Sequence, residues 1–276
     1  MESIAGRTAL VTGAARGIGH ATARLLDEAG ARVIALDCDE QALHDSYAEG
    51  SVVAVCADLS GPNPAELAAQ IWREHGPIEL LVNNVGISTG SGFLELGESD
   101  FDLVFNTNLR GPWFLTKEIV RRLLEEERRG SIVFVSSLHD THVRKLPHYS
   151  ASKAGVGMLV KELAHELGPH GIRVNAVSPG IVRTDQNPIN GAEVEAYVKR
   201  VVPMRRAGEP PDVAKVVTAL LSEEWAGYVT GANVPVDGGL ALHTWVGGNQ
   251  DAPPLERPTG LLGRARQLAQ RSRNGG

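Results

Sequence analysis

Short apolar runs and longer amphipathic stretches alternate from the first residues to about Gly239. Thr8–Val11 is an apolar run of strand length, stopped by Thr12-Gly13. Behind it Ala21, Leu25 and Leu26 recur at helical spacing until Gly30 closes the pattern. The alternation then repeats. Strands are predicted at Arg32–Leu36, Val52–Val55, Glu79–Val82, Ser131–Val135, Ile172–Val177 and Asn233–Val236. Helices are predicted over Glu40–Ala48, Pro64–His75, Phe101–Glu127, Ser150–Gly168 and Asp212–Leu221. The long one is expected to bend at Gly111-Pro112, because proline brings no N–H to the helix ladder. Apolar strands alternating with amphipathic helices imply a parallel sheet covered on both faces. With right-handed crossovers this is an α/β fold, a doubly wound parallel sheet with helices on both faces.

No shift in composition marks a boundary before Gly239, so residues 1–239 read as a single domain. From Leu240 the character changes. Pro253-Pro254, several glycines and Arg264, Arg266, Arg271 and Arg273 make residues 240–276 a C-terminal extension, partly flexible, with one helical stretch at Leu261–Gln270. It reads as a loosely docked extension in preference to a cover over a neighbouring subunit's site.

Hydrophobic residues are 42% of the 276, enough for a sizeable core. The formal net charge of −6 argues against broad nucleic-acid binding, which needs a basic face, and against electrostatic attachment to a membrane. The start, Met1-Glu2-Ser3-Ile4, has no basic-then-apolar leader, and no apolar run reaches spanning length. The expected compartment is the cytoplasm, with no membrane partner. Cys38 and Cys56 lack metal-ligand spacing and are expected as two small buried thiols. His139, His142 and His148 read as loop histidines facing solvent or substrate, so no metal is expected.

Candidate chemistry begins at Thr12–Gly19, which reads TGxxxGxG between the first strand and the first helix. Glycines there let backbone approach a pyrophosphate, and the helix N-terminus offers free N–H groups and positive potential. Gly13, Arg16, Gly17, Ile18 and Gly19 are therefore candidate cofactor residues. Asp37 ends the second strand, where an acid accepts from both ribose hydroxyls and repels a 2′-phosphate. Cys38, Asp39 and Glu40 follow it, with no Arg or Lys directly after, which favours NAD over NADP. Asp58 and Leu59 follow the third strand, at the expected adenine end. Asn83-Asn84-Val85-Gly86 ends the fourth, where Asn84 and Gly86 would let a nucleotide cross the sheet edge.

Tyr149 and Lys153 stand four apart and so share one helix face. A free phenol titrates near 10, about three units too high for work at neutral pH. A nearby ammonium favours phenolate, and three units correspond to about 4 kcal/mol. Ser136-Ser137 ends the fifth strand, where a hydroxyl can orient a substrate oxygen. Asn108 lies in the long helix, where a kink could hold a water and link Lys153 to solvent.

These motifs together resemble the short-chain dehydrogenase/reductase family in its short single-domain branch, over roughly Gly6 to Gly239. The resemblance rests also on Arg173–Gly180 and Asp237-Gly238-Gly239. It implies a Rossmann-type dinucleotide-binding domain and a catalytic set of Asn108, Ser137, Tyr149 and Lys153. It also implies that Pro179, Gly180, Val182 and Thr184 cradle the nicotinamide, and that the protein is a homo-oligomer, tetramer or dimer. Three departures stand out. Val85 replaces a smaller residue, the serine–tyrosine loop is one residue short, and the tail is long. Family spacing picks Ser136, whereas the strand-end motif picks Ser137, which is adopted. The expected activity is NAD-dependent hydride transfer between nicotinamide and a secondary alcohol or ketone, with Ser137, His139 and Tyr149 facing the substrate. The segment Asp185–Arg206 is the expected lid. Its polar residues lean toward a polyol, sugar or hydroxy acid, with a steroid or 3-oxoacyl thioester left open. Two rivals from other classes are a sugar-nucleotide epimerase or dehydratase of the extended branch, which the spacing Gly13-Gly17-Gly19 opposes, and a non-catalytic NAD-binding sensor, which Tyr149 with Lys153 opposes.

Overall fold

The apolar runs form seven strands: β1 (Thr8–Thr12), β2 (Arg32–Asp37), β3 (Val53–Cys56), β4 (Leu80–Asn83), β5 (Gly130–Val135), β6 (Ile172–Pro179) and β7 (Asn233–Val236). They make one parallel sheet in the order β3-β2-β1-β4-β5-β6-β7. The computed structural model describes residues 2–90, 92–143, 145–184 and 191–244. The chain divides into residues 1–241, which carry the sheet and the site, and residues 242–276. The expected helix at Leu261–Gln270 lies outside the described residues.

Alternate side chains of each strand face opposite layers. Ala9 and Val11 pack with Ala23 and Leu26 of α1 (Gly17–Glu28) and with Val213 and Val217 of α8 (Pro210–Leu221). Leu10 packs instead with Ile71 and Trp72 of α3 (Pro64–His75) and with Leu115 and Ile119 of α5 (Gly111–Glu125). Each buried Val, Leu or Ile among them stabilises by about 1.5–3 kcal/mol. A smaller cluster of Leu138, Val198, Val202, Ala207 and Leu240 seats α7 (Ala192–Val201) on the turn that follows β5. The remaining helices are α2 (Glu40–Tyr47), α4 (Glu98–Phe105), α6 (Pro147–Leu167), α9 (Glu223–Ala226) and α10 (Leu240–Thr244).

The strand order reverses between β1 and β4. Connections from these two strands leave in opposite directions and open a crevice at their carboxyl ends, the place where such sheets bind ligands.

The long predicted helix is interrupted one turn earlier than expected. A π-helical turn, Asn106–Arg110, separates α4 from α5, and the bend is not at Pro112. Pro112 falls in the first turn of α5, where a missing N–H costs little. The wider turn buries Thr107 and Asn108. Helix α6 starts at Pro147, three residues before the predicted Ser150, so Tyr149 stands in its first turn.

Candidate active site

Side chains from β1 and β4 stitch the two walls of the crevice together. Thr12 Oγ1 accepts from the N–H groups of Asn84 (3.0 Å) and Val85 (3.1 Å). Asn84 Nδ2 donates to the carbonyls of Thr12 (2.9 Å) and Gly13 (3.0 Å). Gly13 and Gly17 hold φ of 63° and 56°, where other residues are strained. Gly19 is needed for a different reason, since a Cβ there would stand 2.0 Å from the Gly13 carbonyl oxygen.

Helix α1 starts from this turn. Its N-cap, Arg16, makes no side-chain cap, and the first turn holds no acid. The helix end therefore keeps donors and positive potential suited to a pyrophosphate. Ile18 is partly buried against the core, and Arg16 pairs with Asp39 at 2.5 Å. Asp37 accepts from the Ala15 N–H (3.0 Å) through one oxygen and from the Asp39 N–H (3.1 Å) through the other. A carboxylate keeps further lone pairs for ribose hydroxyls. Asp58 is exposed and accepts from the Ser60 N–H at 2.8 Å, whereas the Leu59 side chain is buried in the α3/α5 layer.

The cysteines correct the sequence reading. Both are exposed, because they lie where β2 and β3 leave the sheet and β3 is its edge. Cys56 Sγ stands 3.8 Å from the Cys38 carbonyl oxygen. Partial burial, with Asp37 and Asp58 nearby, pushes the Cys38 thiol up.

At the end of β5 the two serines separate. Ser136 Oγ donates to Asp140 Oδ2 at 3.1 Å. Ser137, in extended backbone, accepts from the His139 N–H at 3.3 Å and stands near enough to the Tyr149 phenol to act on it. Lys153 Nζ lies 5.8 Å from the Tyr149 ring centre and donates to the Val135 carbonyl at 2.9 Å. Lys153 is 3% exposed, and burial lowers its pKa to about 8 against the opposing pull of Asp140. The phenol behaves otherwise than the lysine argument predicts. Burial outweighs every other influence and pushes it up, Ser137 draws it back, and Asp140 adds to the rise.

Asn108 is held at both ends of its amide. Its oxygen accepts from the Ile87 N–H (2.8 Å), and Nδ2 donates to the Ile87 carbonyl (2.9 Å) and to Ser152 Oγ (3.1 Å). Gly86 leaves the space between this amide and the lysine. A Cβ there would come 3.1 Å from Lys153 Nζ and 3.6 Å from Asn108 Oδ1. The His139 ring meets Tyr149 edge-on at 5.0 Å. His148 is not the solvent-facing loop residue expected. It lies in α6, 3% exposed, and bonds Thr89 Oγ1 through Nε2 at 2.9 Å, joining α6 to the loop after β4.

Beyond β6, which ends at Pro179, the Gly180 N–H donates to the Val236 carbonyl at 3.1 Å. A Cβ on Gly180 would stand 2.7 Å from that of Asp237. Val182 is buried and bridges to Gly208. The Thr184 methyl approaches the glycine turn, 3.3 Å from the point a Cβ on Gly17 would occupy. Residues 185–190 of the expected lid lie outside the described residues.

Several residues at the site escaped the sequence reading as participants. Ser46 Oγ donates to the Ala15 carbonyl (3.0 Å), and Tyr47 OH donates to that of Ala14 (2.7 Å), so α2 holds the glycine turn from behind. Ser152 and Asp140 join them. Only Thr12, inside the glycine motif, carried a local signal.

A family model described as enoyl-(acyl carrier protein) reductase matches residues 13–241. The chain belongs to the short-chain dehydrogenase/reductase family. L-rhamnose 1-dehydrogenase (NAD(P)(+)) of Azotobacter vinelandii is 39% identical over 250 residues, covering 86% of this chain and 97% of that protein. L-xylulose reductase of Mesocricetus auratus is 37% identical over 246 residues, covering 87% and 98%. Among solved structures, 4-hydroxyisoleucine dehydrogenase complexed with NADH superposes with a TM-score of 0.81 at 30% identity, covering 85% of this chain and 98% of that one. As a short-chain dehydrogenase/reductase, the chain is an oxidoreductase of alcohol and ketone groups that works with a nicotinamide cofactor. Among the described residues no helix is long and apolar enough to cross a membrane.

Proposed function

We propose that this short-chain dehydrogenase/reductase prefers NAD and moves hydride to or from a secondary alcohol or ketone through Asn108, Ser137, Tyr149 and Lys153. The observation that carries the reading is the grouping of Ser137, Tyr149 and the buried Lys153 ammonium, 5.8 Å from the Tyr149 ring centre, beside the gap at Gly86. In alcohol oxidation Ser137 orients the substrate oxygen and Tyr149 takes its proton. Lys153 stands beside the phenol, and Asn108 braces the π turn, where the proton passes to solvent. The bound dinucleotide supplies the hydride acceptor and, when oxidised, a positive ring beside the phenol. The donors at the α1 N-terminus suit its pyrophosphate, and Asp37 suits an unphosphorylated ribose.

The preference for NAD rests on Asp37, whose charge repels a 2′-phosphate, and on Arg16, which Asp39 engages. A polyol, sugar or hydroxy acid is the proposed substrate. Exposed Glu193, Glu195, Lys199, Arg205 and Arg206 on and after α7 support it, as do the sugar names of two relatives. Exposed Phe101, Trp113, Phe114 and Met158 support a homo-oligomer, and the proposed compartment is the cytoplasm.

The test is a panel of sugars, polyols, hydroxy acids and 3-hydroxyacyl thioesters with NAD⁺ or NADP⁺. The expected result is NADH formation on a sugar or polyol, with kcat/KM at least about tenfold above that with NADP⁺, a gap of about 1.4 kcal/mol. Tight NAD binding with no turnover on any alcohol would favour the sensor instead.

A further inference from the structure

Asp140 closes the short turn after Ser137, and its surroundings are more elaborate than a turn requires. One oxygen, Oδ2, gathers three partners from three elements. Ser136 Oγ lies at 3.1 Å, Ser178 Oγ of β6 at 2.8 Å and Asn233 Nδ2 of β7 at 2.6 Å. The other oxygen accepts from Thr141 Oγ1 at 3.1 Å. Ser136 is 4% exposed and Ser178 2%. A carboxylate held by a serine that follows β5 and by donors from β6 and β7 loses three hydrogen bonds if it swings out to water, so its charge stays where the sheet ends.

That charge stands beside α6, where a Cβ on Gly157, one turn after Lys153, would lie 3.9 Å from Asp140 Oδ2. Among the described residues no carboxylate comes within ion-pair distance of Lys153, a nearly fully buried cation whose direct partner is a neutral carbonyl. Ser136 joins the two sites, with its hydroxyl on Asp140 and the Lys153 carbonyl 3.5 Å away. The titratable groups around the pair are few. The turn brings His139, Asp140 and His142, and α6 brings His148. The loop after β4 and the π turn bring the uncharged Gly86 and Asn108, Ser178 of β6 and Asn233 of β7 bind Asp140 itself, and α4, which packs on α6, carries Glu98, Asp100 and Asp102. Asp140 is the fixed anion whose field reaches both members of the pair.

We propose that Asp140 is the positioning counter-charge of the Tyr149–Lys153 pair, locked by Ser136, Ser178 and Asn233, and that it sets the pH window in which the pair works. Without it, the ammonium would face burial alone. The proposal rests on the acid–base role given to Tyr149 above.

The sign of the effect is fixed by charge. Removing an anion favours the less protonated form of both groups, so phenol and ammonium each lose their proton at lower pH. In Asp140→Asn, with size kept and charge removed, both limbs of the pH–rate profile for alcohol oxidation move to lower pH by about half a unit to one unit. Asp140→Glu restores the parental midpoints. Ser136→Ala removes one tether but no charge and leaves them in place.

A second readout needs no substrate. The phenolate absorbance of Tyr149, taken as the parent spectrum minus that of Tyr149→Phe, is titrated in the protein alone and in the Asp140→Asn background. The expected result is the same downward shift. Parental midpoints in Asp140→Asn, whatever the loss of rate, would reduce Asp140 to a structural strut and overturn the proposal. Should Asp140→Asn fail to fold, Asp140→Ser, a hydroxyl among hydroxyls, carries the same two measurements. Failure of the catalytic reading itself shows separately, as turnover that survives Tyr149→Phe, while the absorbance titration still reports on Asp140.

Discussion

Ser136 and Ser137 differ by one position and face different tasks, because successive residues of extended chain point to opposite sides. Ser136 turns back to Asp140, whereas Ser137 acts on the phenol. Ser137→Ala should lower kcat by about a hundredfold or more with NAD binding retained. Ser136→Ala should lower stability by about 1 kcal/mol and leave most of the rate. Steady-state kinetics beside denaturant melts check both, and a larger loss of rate in Ser136→Ala would reverse the assignment. Lys153 makes a second residue-scale case. Burial lowers its pKa to about 8, from an ordinary value of 10.5. Between those values the unfolded chain binds the extra proton, so stability from this group rises with pH through that window, having been depressed below it. Relative to Lys153→Met, the parent should gain about 1–2 kcal/mol between about pH 7.5 and pH 9.5. Parallel stability curves for the two proteins would show that the ammonium is not held at a cost.

At the scale of elements, the glycine turn depends on the helices around it. In Gly19→Ala the new Cβ, 2.0 Å from the Gly13 carbonyl oxygen, forces backbone apart where α1 leaves β1. The expected outcome is a rise in the Kd for NAD of tenfold or more, read by fluorescence titration, and unchanged affinity would mean the turn does not hold the cofactor. The glycines were legible in the sequence because backbone freedom and close approach leave glycine as the residue of choice. Tyr47 and Ser46 were not legible, since the carbonyls they hold lie more than thirty positions away and only the packed fold joins them. Arg173 is a mixed case. It was legible as part of a motif, yet its guanidinium serves α8, donating to the carbonyls of Leu220, Leu221 and Ser222 at the helix end. The π turn left no pattern either, because one inserted residue in an otherwise helical stretch leaves the apolar spacing nearly intact.

For the molecule as a whole, the parallel doubly wound sheet was readable because seven apolar runs separated by helices admit few right-handed arrangements. Exposure at the sheet edge was not readable, and the two cysteines followed from that, since nothing in Val53–Cys56 says that β3 would be last in the order. The fold brings to the carboxyl ends of the strands a glycine turn from residues 12–19, an acid from β2 and a serine that follows β5, with a tyrosine and lysine from α6 beside the serine. Central to the account is that the Tyr149 phenol moves the substrate's proton while the crevice holds the dinucleotide. The most direct measurement follows NADH absorbance after mixing enzyme, NAD⁺ and a substrate from the panel, for the parent and for Tyr149→Phe, with NAD affinity taken in parallel. The account predicts parental affinity in the variant and a rate lower by about a thousandfold or more. NADH formed by Tyr149→Phe at a rate near the parent's would contradict it.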